Sequence, residues 1–208
     1  MITLVRHGRT EANASGLLLG RADPPLDDLG RRQAAAVGEA VAAGGPVDRI
    51  LTSPLARARQ TAEALAAACA ATEARALDVV VDDRLVELDY GTWDRRPASD
   101  VAPREWAAWM ADPSFAPPGG ESLTELGARV RELLAEVVAT ATDAPDIHTV
   151  LVSHVSPIKA AVAWALGVGD EVAWRLFLSP ASISTVAVTR GVTSLRRFND
   201  TSHLAGLR

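Results

Sequence analysis

Several residue types are scarce in this chain, and each scarcity excludes something. A single cysteine, Cys69, leaves no internal disulfide framework. In the alanine-rich stretch AEALAAACAA its thiol reads as a small buried hydrophobe. No apolar run is long enough to cross a bilayer, and no block of like charge forms a tail. The opening residues do not read as a secretory leader, because Arg6 and His7 interrupt the apolar segment and no small-residue cleavage site follows. The expectation is a soluble, cytoplasmic protein. Lysine is nearly missing: Lys159 is the only one, and the other basic residues are all arginine. A coding bias favouring Arg and Ala together accounts for that number, so the positions of particular arginines carry the argument. The net charge of −5 argues against non-specific nucleic-acid binding, which needs a basic surface. A local cationic cluster can still take a small anion. No P-loop, no G-x-G-x-x-G after a strand and no H-x-x-x-H or close Cys/His spacing occurs, so neither a nucleotide cofactor nor a metal is expected.

What is there alternates. Apolar strands are expected at 2–6 (ITLVR), 47–53, 77–83 and 148–154 (HTVLVSH). A helix is expected from Asp27 or Asp28 to Gly44-Gly45, and another over 54–71 with Ser53 as N-cap and Pro54 at its first position. A long amphipathic helix over 121–142 opens on Ser122 and Glu125, which have capping-box spacing. SPIKAAVAWALG reads as a helix opened by Ser156-Pro157. SISTVAV and VTSLRRF, joined at Arg190-Gly191, read as an antiparallel hairpin. Strands alternating with helices predict an α/β fold, a three-layer α/β/α sandwich with a mostly parallel sheet. One domain spans 1–208, with a small irregular insertion at about 84–121 and a short helix around REWAAWM.

Sheets of this kind bind ligands at the carboxyl ends of their strands, and the reactive residues collect there. Arg6 and His7 end the first strand, Ser53 the second, and His154 the strand HTVLVSH. The two Ser-Pro helix starts offer unpaired N–H groups and a partial positive charge. Arg57 falls in the first turn of one of them. Arginine forks, amide donors and two imidazoles suit a tetrahedral dianion. An imidazole among cations stays neutral and keeps a free lone pair, which makes it a nucleophile toward phosphorus. Arg6 and Arg57 then neutralise the phosphoryl group. Glu87, after the third strand, is the candidate proton donor, since a carboxyl beside a dianion is pushed toward its protonated form.

These residues resemble the histidine phosphatase superfamily, also called the phosphoglycerate mutase-like family. RHGRTEAN matches its R-H-G-x-T-x-x-N, SPLARARQTA its S-x-L-x-R-A-x-Q-T, and ELDYGTW its E-x-x-x-G-x-W. GGESL resembles its substrate-side loop, LVSH its second histidine, and RADPPLDDLG its D-x-P-L-x-x-x-G. The blocks run in family order from residue 3 to about 160. The resemblance implies that His7 forms a phosphohistidine. Arg6, Arg57 and His154 would hold the phosphoryl oxygens with Asn13 assisting. Glu87 would act as acid and then as base toward water. Gly8 would allow close backbone approach, and Arg21 and Val155 would lie on the substrate side. The implied activity is a metal-independent phosphomonoesterase of the histidine acid phosphatase type, acting on a small phosphorylated metabolite.

Three departures lie where selectivity would be set. His154-Val155-Ser156-Pro157 stands for H-G, Asp94-Arg95 follows Trp93 where E-G is usual, and Leu19 replaces a frequent polar residue. VSHVSPIK and LRRFNDTSHL resemble α-ribazole phosphatase-like members. Phosphoglycerate mutase-type transfer is the alternative, but the compact insertion favours water as acceptor. A non-catalytic phosphate-binding module would lack the acid or the nucleophile, whereas His7, Glu87 and His154 are all present. His148 and His203 read as surface residues. Trp93, Trp106 and Trp109 suit pocket lining and core packing alike. No nucleic-acid or membrane partner is expected, and a homodimer is compatible with the sequence.

Overall fold

The computed structural model describes residues 1–143 and 147–207. Strand β1 (Ile2–Arg6) leads into a single helical turn α1 (Glu11–Ala14) and then α2 (Asp28–Ala43). Next come β2 (Arg49–Thr52), α3 (Ala56–Glu73) and β3 (Val79–Val81). The following segment holds three 3-10 turns and α4 (Pro103–Ala111), after which α5 (Leu123–Asp143) leads to β4 (Thr149–Ser153) and α6 (Val155–Leu166). Strands β5 (Ile183–Thr189) and β6 (Val192–Asp200) close the order. The six strands form one sheet in the order β3-β2-β4-β1-β5-β6. The first four of these run parallel, and β5 and β6 are antiparallel to their neighbours. The expected architecture is therefore present, hairpin included. Arg190 and Gly191 both have positive φ (51° and 77°), as a tight hairpin turn requires. Among the described residues no helix is long and apolar enough to cross a membrane.

The pleat sorts the strand residues between two cores. Ile2, Leu4, Leu51 and Leu151 pack against α5, α6 and the segment between β3 and α5. Val5, Ile50, Val150 and Val152 pack against α2 and α3. Extending that alternation by one residue places Arg6 on the α5/α6 side and His7 on the α3 side. The β1–β4 register pairs Arg6 with Ser153, and the His7 N–H donates to the Ser153 carbonyl (3.0 Å), so His7 and His154 leave adjacent strands together.

Several expectations are met. Asp27 caps α2 by accepting from the Gly30 N–H (2.7 Å). Ser122 and Glu125 form the capping box of α5. Cys69 is buried. Other expectations need correction. Helix α3 starts at Ala56 rather than Pro54, and its first N–H is capped by Asp23 (2.7 Å), a residue 33 positions away. Helix α6 starts at Val155 with His154 at the N-cap, so Pro157 sits inside the first turn, where its missing N–H costs nothing. His148 is not a surface residue. It is buried, its Nδ1 donates to the Pro46 carbonyl (2.9 Å) and its Nε2 accepts from the Thr3 hydroxyl (2.8 Å). His203 is half-buried against the Ala181 carbonyl (2.9 Å). Trp93 and Trp109 are buried core residues set edge to face with ring centroids 5.7 Å apart, and Trp106 packs against the same cluster.

One close contact fixes the amino end of α2 against the loop after β1. A Cβ on Gly30 would lie 1.9 Å from the Arg9 carbonyl oxygen, and one on Gly8 would lie 2.4 Å from the Gly30 oxygen. Alanine is the better helix former, so in open space Gly30→Ala would stabilise. Here it should destabilise by about 1–3 kcal/mol, the usual cost of overpacking. Urea unfolding of the variant checks this, and a gain in stability would contradict the contact.

Candidate active site

His7 leaves β1 beside a main-chain carbonyl that decides its chemistry. Its Nδ1 lies 2.7 Å from the Gly8 oxygen and can only donate to it, which leaves Nε2 as the bare acceptor of a neutral ring. The Arg57 Nε–H donates to that nitrogen (3.3 Å). Burial, then Arg57 and then Arg6 hold the His7 pKa well below the usual imidazole range, against the smaller raising effect of the Gly8 bond. His154 is 5.0 Å away between ring centroids. Its pKa is likewise driven well down, first by burial, then by Arg57, His7, Arg6 and Arg129. Its Nε2 is bonded to the Ser53 hydroxyl (2.7 Å).

Both arginines are buried, and among the described residues neither has a carboxylate within hydrogen-bond reach. Arg57 has 0% of its surface exposed. Its Nη2 donates to the Gly20 carbonyl and its Nη1 to that of Ala22 (both 2.8 Å), while the Asp23 carboxylate stays 3.9 Å off. Arg6 Nη1 donates to the Leu178 carbonyl (2.6 Å). Burial lowers its pKa to about 10, against the raising effect of Glu87. Arg6 Nε and His154 Nδ1 are buried with no hydrogen-bond partner among the described residues. Both residues are near enough to His7 for their charges to be felt in the same cluster, and each nitrogen retains the capacity for one hydrogen bond.

Glu87 is buried beside the start of α6. Its Oε1 accepts from the N–H groups of Leu88 (2.8 Å) and Ser156 (3.1 Å), and its Oε2 from that of Val155 (3.0 Å). The amino-terminal N–H groups of α6 are thus committed to this carboxylate, as that of α3 is to Asp23. The end of α6 is therefore not free for a dianion, and the first N–H of α3 is already taken, which corrects the sequence expectation. An anionic side chain at a helix N-terminus is the same electrostatic solution reached internally. Val155 contributes to the cluster through its N–H, which donates to Glu87.

The remaining expected residues are placed less directly. Asn13 Oδ1 accepts from the N–H and hydroxyl of Thr10 in the capping box of α1, which leaves its amide nitrogen for other work. Arg21 reaches Glu121 at 3.4 Å and is 40% exposed. Glu121 is also held two-fold by Arg129 (2.7 and 2.9 Å). Gly8 presses on Gly30, so its close backbone approach is to the protein itself. Arg9 pairs with Asp27 and Arg59 with Glu63. Ser53, expected at the second strand end, bonds His154 (2.7 Å); sequence reasoning gave no site role to Thr61, whose hydroxyl accepts from the Gly8 N–H (3.1 Å) and donates to the Arg57 carbonyl (2.8 Å). Thr61 lay within the quoted Q-T pair, so that signal was present. Tyr90, bonded to Ser156 beside Glu87, is held protonated chiefly by burial. Lys159 is half-buried near Glu87 and Arg6, and burial lowers its pKa. Among the described residues no group of three or more His, Cys, Asp or Glu side chains is placed to hold a metal ion.

A sequence model of the histidine phosphatase superfamily (branch 1) matches residues 2–201. The bifunctional protein Rv2228c of Mycobacterium tuberculosis is 37% identical over 207 residues, 98% of this chain but 54% of that protein. The chain thus spans about half the length of that relative. "Probable phosphoglycerate mutase GpmB" of Yersinia enterocolitica is 36% identical over 189 residues, covering 89% of this chain and 83% of that one. The solved structure of mycobacterial glucosyl-3-phosphoglycerate phosphatase Rv2419c with VO3 superposes with a TM-score of 0.85 at 32% identity, over 96% of this chain and 99% of that one.

The neutral histidines make stability pH-dependent. Both His7 and His154 have folded pKa values well below the 6.5 of a free imidazole. Above that pH neither state binds the proton, and nothing is lost. Below it the unfolded chain takes up protons that the folded chain refuses, so stability falls as pH falls. Each buried imidazole should contribute a slope approaching about 1.4 kcal/mol per pH unit. Urea unfolding at pH 7.5, 6.5 and 5.5 checks this. A free energy that stays flat from 6.5 to 5.5 would mean that both rings accept protons in the fold.

Proposed function

The chain belongs to the histidine phosphatase superfamily (branch 1), and from that membership we propose that it hydrolyses phosphomonoesters of small metabolites through a phosphohistidine on His7. The observation that carries the reading is the bare Nε2 of a buried neutral imidazole, facing the guanidinium of Arg57 and flanked by Arg6. The arriving phosphoryl group displaces the Arg57 Nε–H from His7 and takes that donor for its own oxygen. Arg6 Nε and His154 Nδ1 supply further N–H groups, the latter in the tautomer where the Ser53 hydroxyl donates to Nε2. The His7 lone pair then forms the P–N bond as the P–O ester bond breaks. Glu87 Oε1 already accepts two N–H groups and Oε2 one, so Oε2 has the lone pair on which a proton can ride. That proton goes to the leaving alkoxide. In the second half the same oxygen takes a proton from water as the water attacks phosphorus, and the P–N electrons return to Nε2.

Hydrolysis is favoured over transfer by the compact segment between β3 and α5, pinned by the Leu17–Pro97 bridge and the tryptophan cluster. Likeness to a protein named phosphoglycerate mutase supports the second reading, a mutase. An assay for 3-phosphoglycerate isomerisation beside a phosphate-ester panel separates the two. The panel includes glucosyl-3-phosphoglycerate and α-ribazole phosphate.

His7→Ala should abolish turnover with the melting temperature retained, and rapid quench of the wild type should trap phosphate on His7. Absence of any trapped phosphoryl group during turnover would exclude the covalent route. Glu87→Gln should slow alkyl phosphate hydrolysis by about 10²–10⁴-fold, the usual value of one catalytic proton transfer. It should affect p-nitrophenyl phosphate far less, because nitrophenolate leaves unprotonated. Equal losses on both esters would remove Glu87 as the acid.

A further inference from the structure

The Arg57 guanidinium is aimed at His7 by two carbonyls, and those carbonyls are held by a residue outside the proposed chemistry. Gly20 and Ala22 accept from Arg57 through their oxygens (2.8 Å each). Their N–H groups both donate to one carboxylate, Gly20 to Asp94 Oδ1 (2.9 Å) and Ala22 to Asp94 Oδ2 (2.8 Å). Every main-chain polar group of Gly20 and Ala22 is thereby taken by a side chain on α3 or by Asp94. The turn has little room to drift in other directions. A Cβ on Gly20 would stand 2.7 Å from the Leu88 carbonyl oxygen, and Asp23 ties the far end to the first N–H of α3. Asp94 is itself anchored by its neighbours. Trp93 is buried in the core, and Arg95, at φ 65°, donates its N–H to the Leu18 carbonyl (2.8 Å).

We propose that Asp94 is a positioning residue for the nucleophile: by gripping both N–H groups of the Gly20–Ala22 turn it sets the two carbonyls that hold Arg57 against His7 Nε2. This rests on the reading of His7 as the phosphoryl acceptor. Asp94 acts only through the turn and through Arg57. Its carboxylate also faces Arg57 electrostatically, together with Glu87 and Asp23, while Arg6, Arg57 and His154 face His7.

The sign of the effect on His7 separates positioning from charge. Removing a negative charge from the neighbourhood would, by itself, make His7 harder to protonate. Releasing Arg57 would take a cation away from Nε2 and make His7 easier to protonate. The experiment is an NMR titration of ¹⁵N-labelled histidines in phosphate-free buffer for the wild type, Asp94→Ala, Asp94→Asn and Asp94→Glu. His7→Ala provides the resonance assignment. The His7 midpoint should rise in Asp94→Ala and in the nearly isosteric Asp94→Asn, and return toward the wild-type value in Asp94→Glu. In parallel, kcat/KM for p-nitrophenyl phosphate should fall by about 10–100-fold, the scale of a small misplacement of a reacting group, and inhibition by orthovanadate should weaken with it. The acid limb of the kcat/KM profile should move in the direction of the NMR midpoint. A midpoint that falls or stays put in a folded Asp94→Asn would overturn the proposal, as would activity losses that merely track melting temperature. The titration needs no turnover. If the wild type hydrolyses no ester, the phosphatase reading fails while the titration still decides the role of Asp94.

Discussion

The proton on His7 Nδ1 is held by the Gly8 carbonyl at 2.7 Å, and much of the surrounding structure serves to keep a second proton off the other ring nitrogen. A neutral imidazole has one donor and one acceptor, and the partner of the donor decides which nitrogen is left bare. The partner here is main chain, so the tautomer depends on where the backbone runs after β1. That path is set by a pair of glycines. Gly8 and Gly30 approach so closely that neither has room for a Cβ, and Thr61 takes the Gly8 N–H. The packing of α2 and α3 thus reaches the unprotonated nitrogen of His7 through a single carbonyl.

Two buried guanidiniums on a chain of net charge −5 look costly, and the way they are satisfied explains why they are useful. A carboxylate in direct contact would stabilise each arginine and also cancel its attraction for an anion. Carbonyl oxygens satisfy the N–H groups and leave the charge in place. Arg57 is bonded to two carbonyls and Arg6 to one. The nearby carboxylates are mostly spent elsewhere. Asp94 and Asp23 are occupied by backbone N–H groups, and Glu87 by three more. Opposite charges are thus kept near the cluster without being spent on direct bonds to the two guanidiniums.

Much of this was legible beforehand, for identifiable reasons. The strand over 2–6 was readable from its apolar run, with Arg6 and His7 at its carboxyl end. Asp27 and the Ser122–Glu125 pair were readable as caps because they bond within three residues. The start of α3 was misplaced for the opposite reason. Ser53-Pro54 is a good local signal, yet Ser53 bonds His154 instead, and the cap comes from Asp23. His148 was taken for a surface residue because nothing near it in sequence shows that Thr3 and Pro46 enclose it.

The amino-acid sequence by itself determined the layered α/β architecture, the hairpin at its end and the gathering of Arg6, His7 and His154 at strand ends, with Arg57 in the first turn of the helix that follows one. Periodicity, turn chemistry and strand-to-helix order are local properties, and a few of them fix a sheet of this kind. Only the tertiary structure decided which carbonyls hold Arg57, which carboxylate holds those carbonyls, and that the two helix ends serve acidic side chains. Those contacts join residues 37, 74 and 33 positions apart. They depend on where loops meet in space once both cores have packed, which no local pattern encodes.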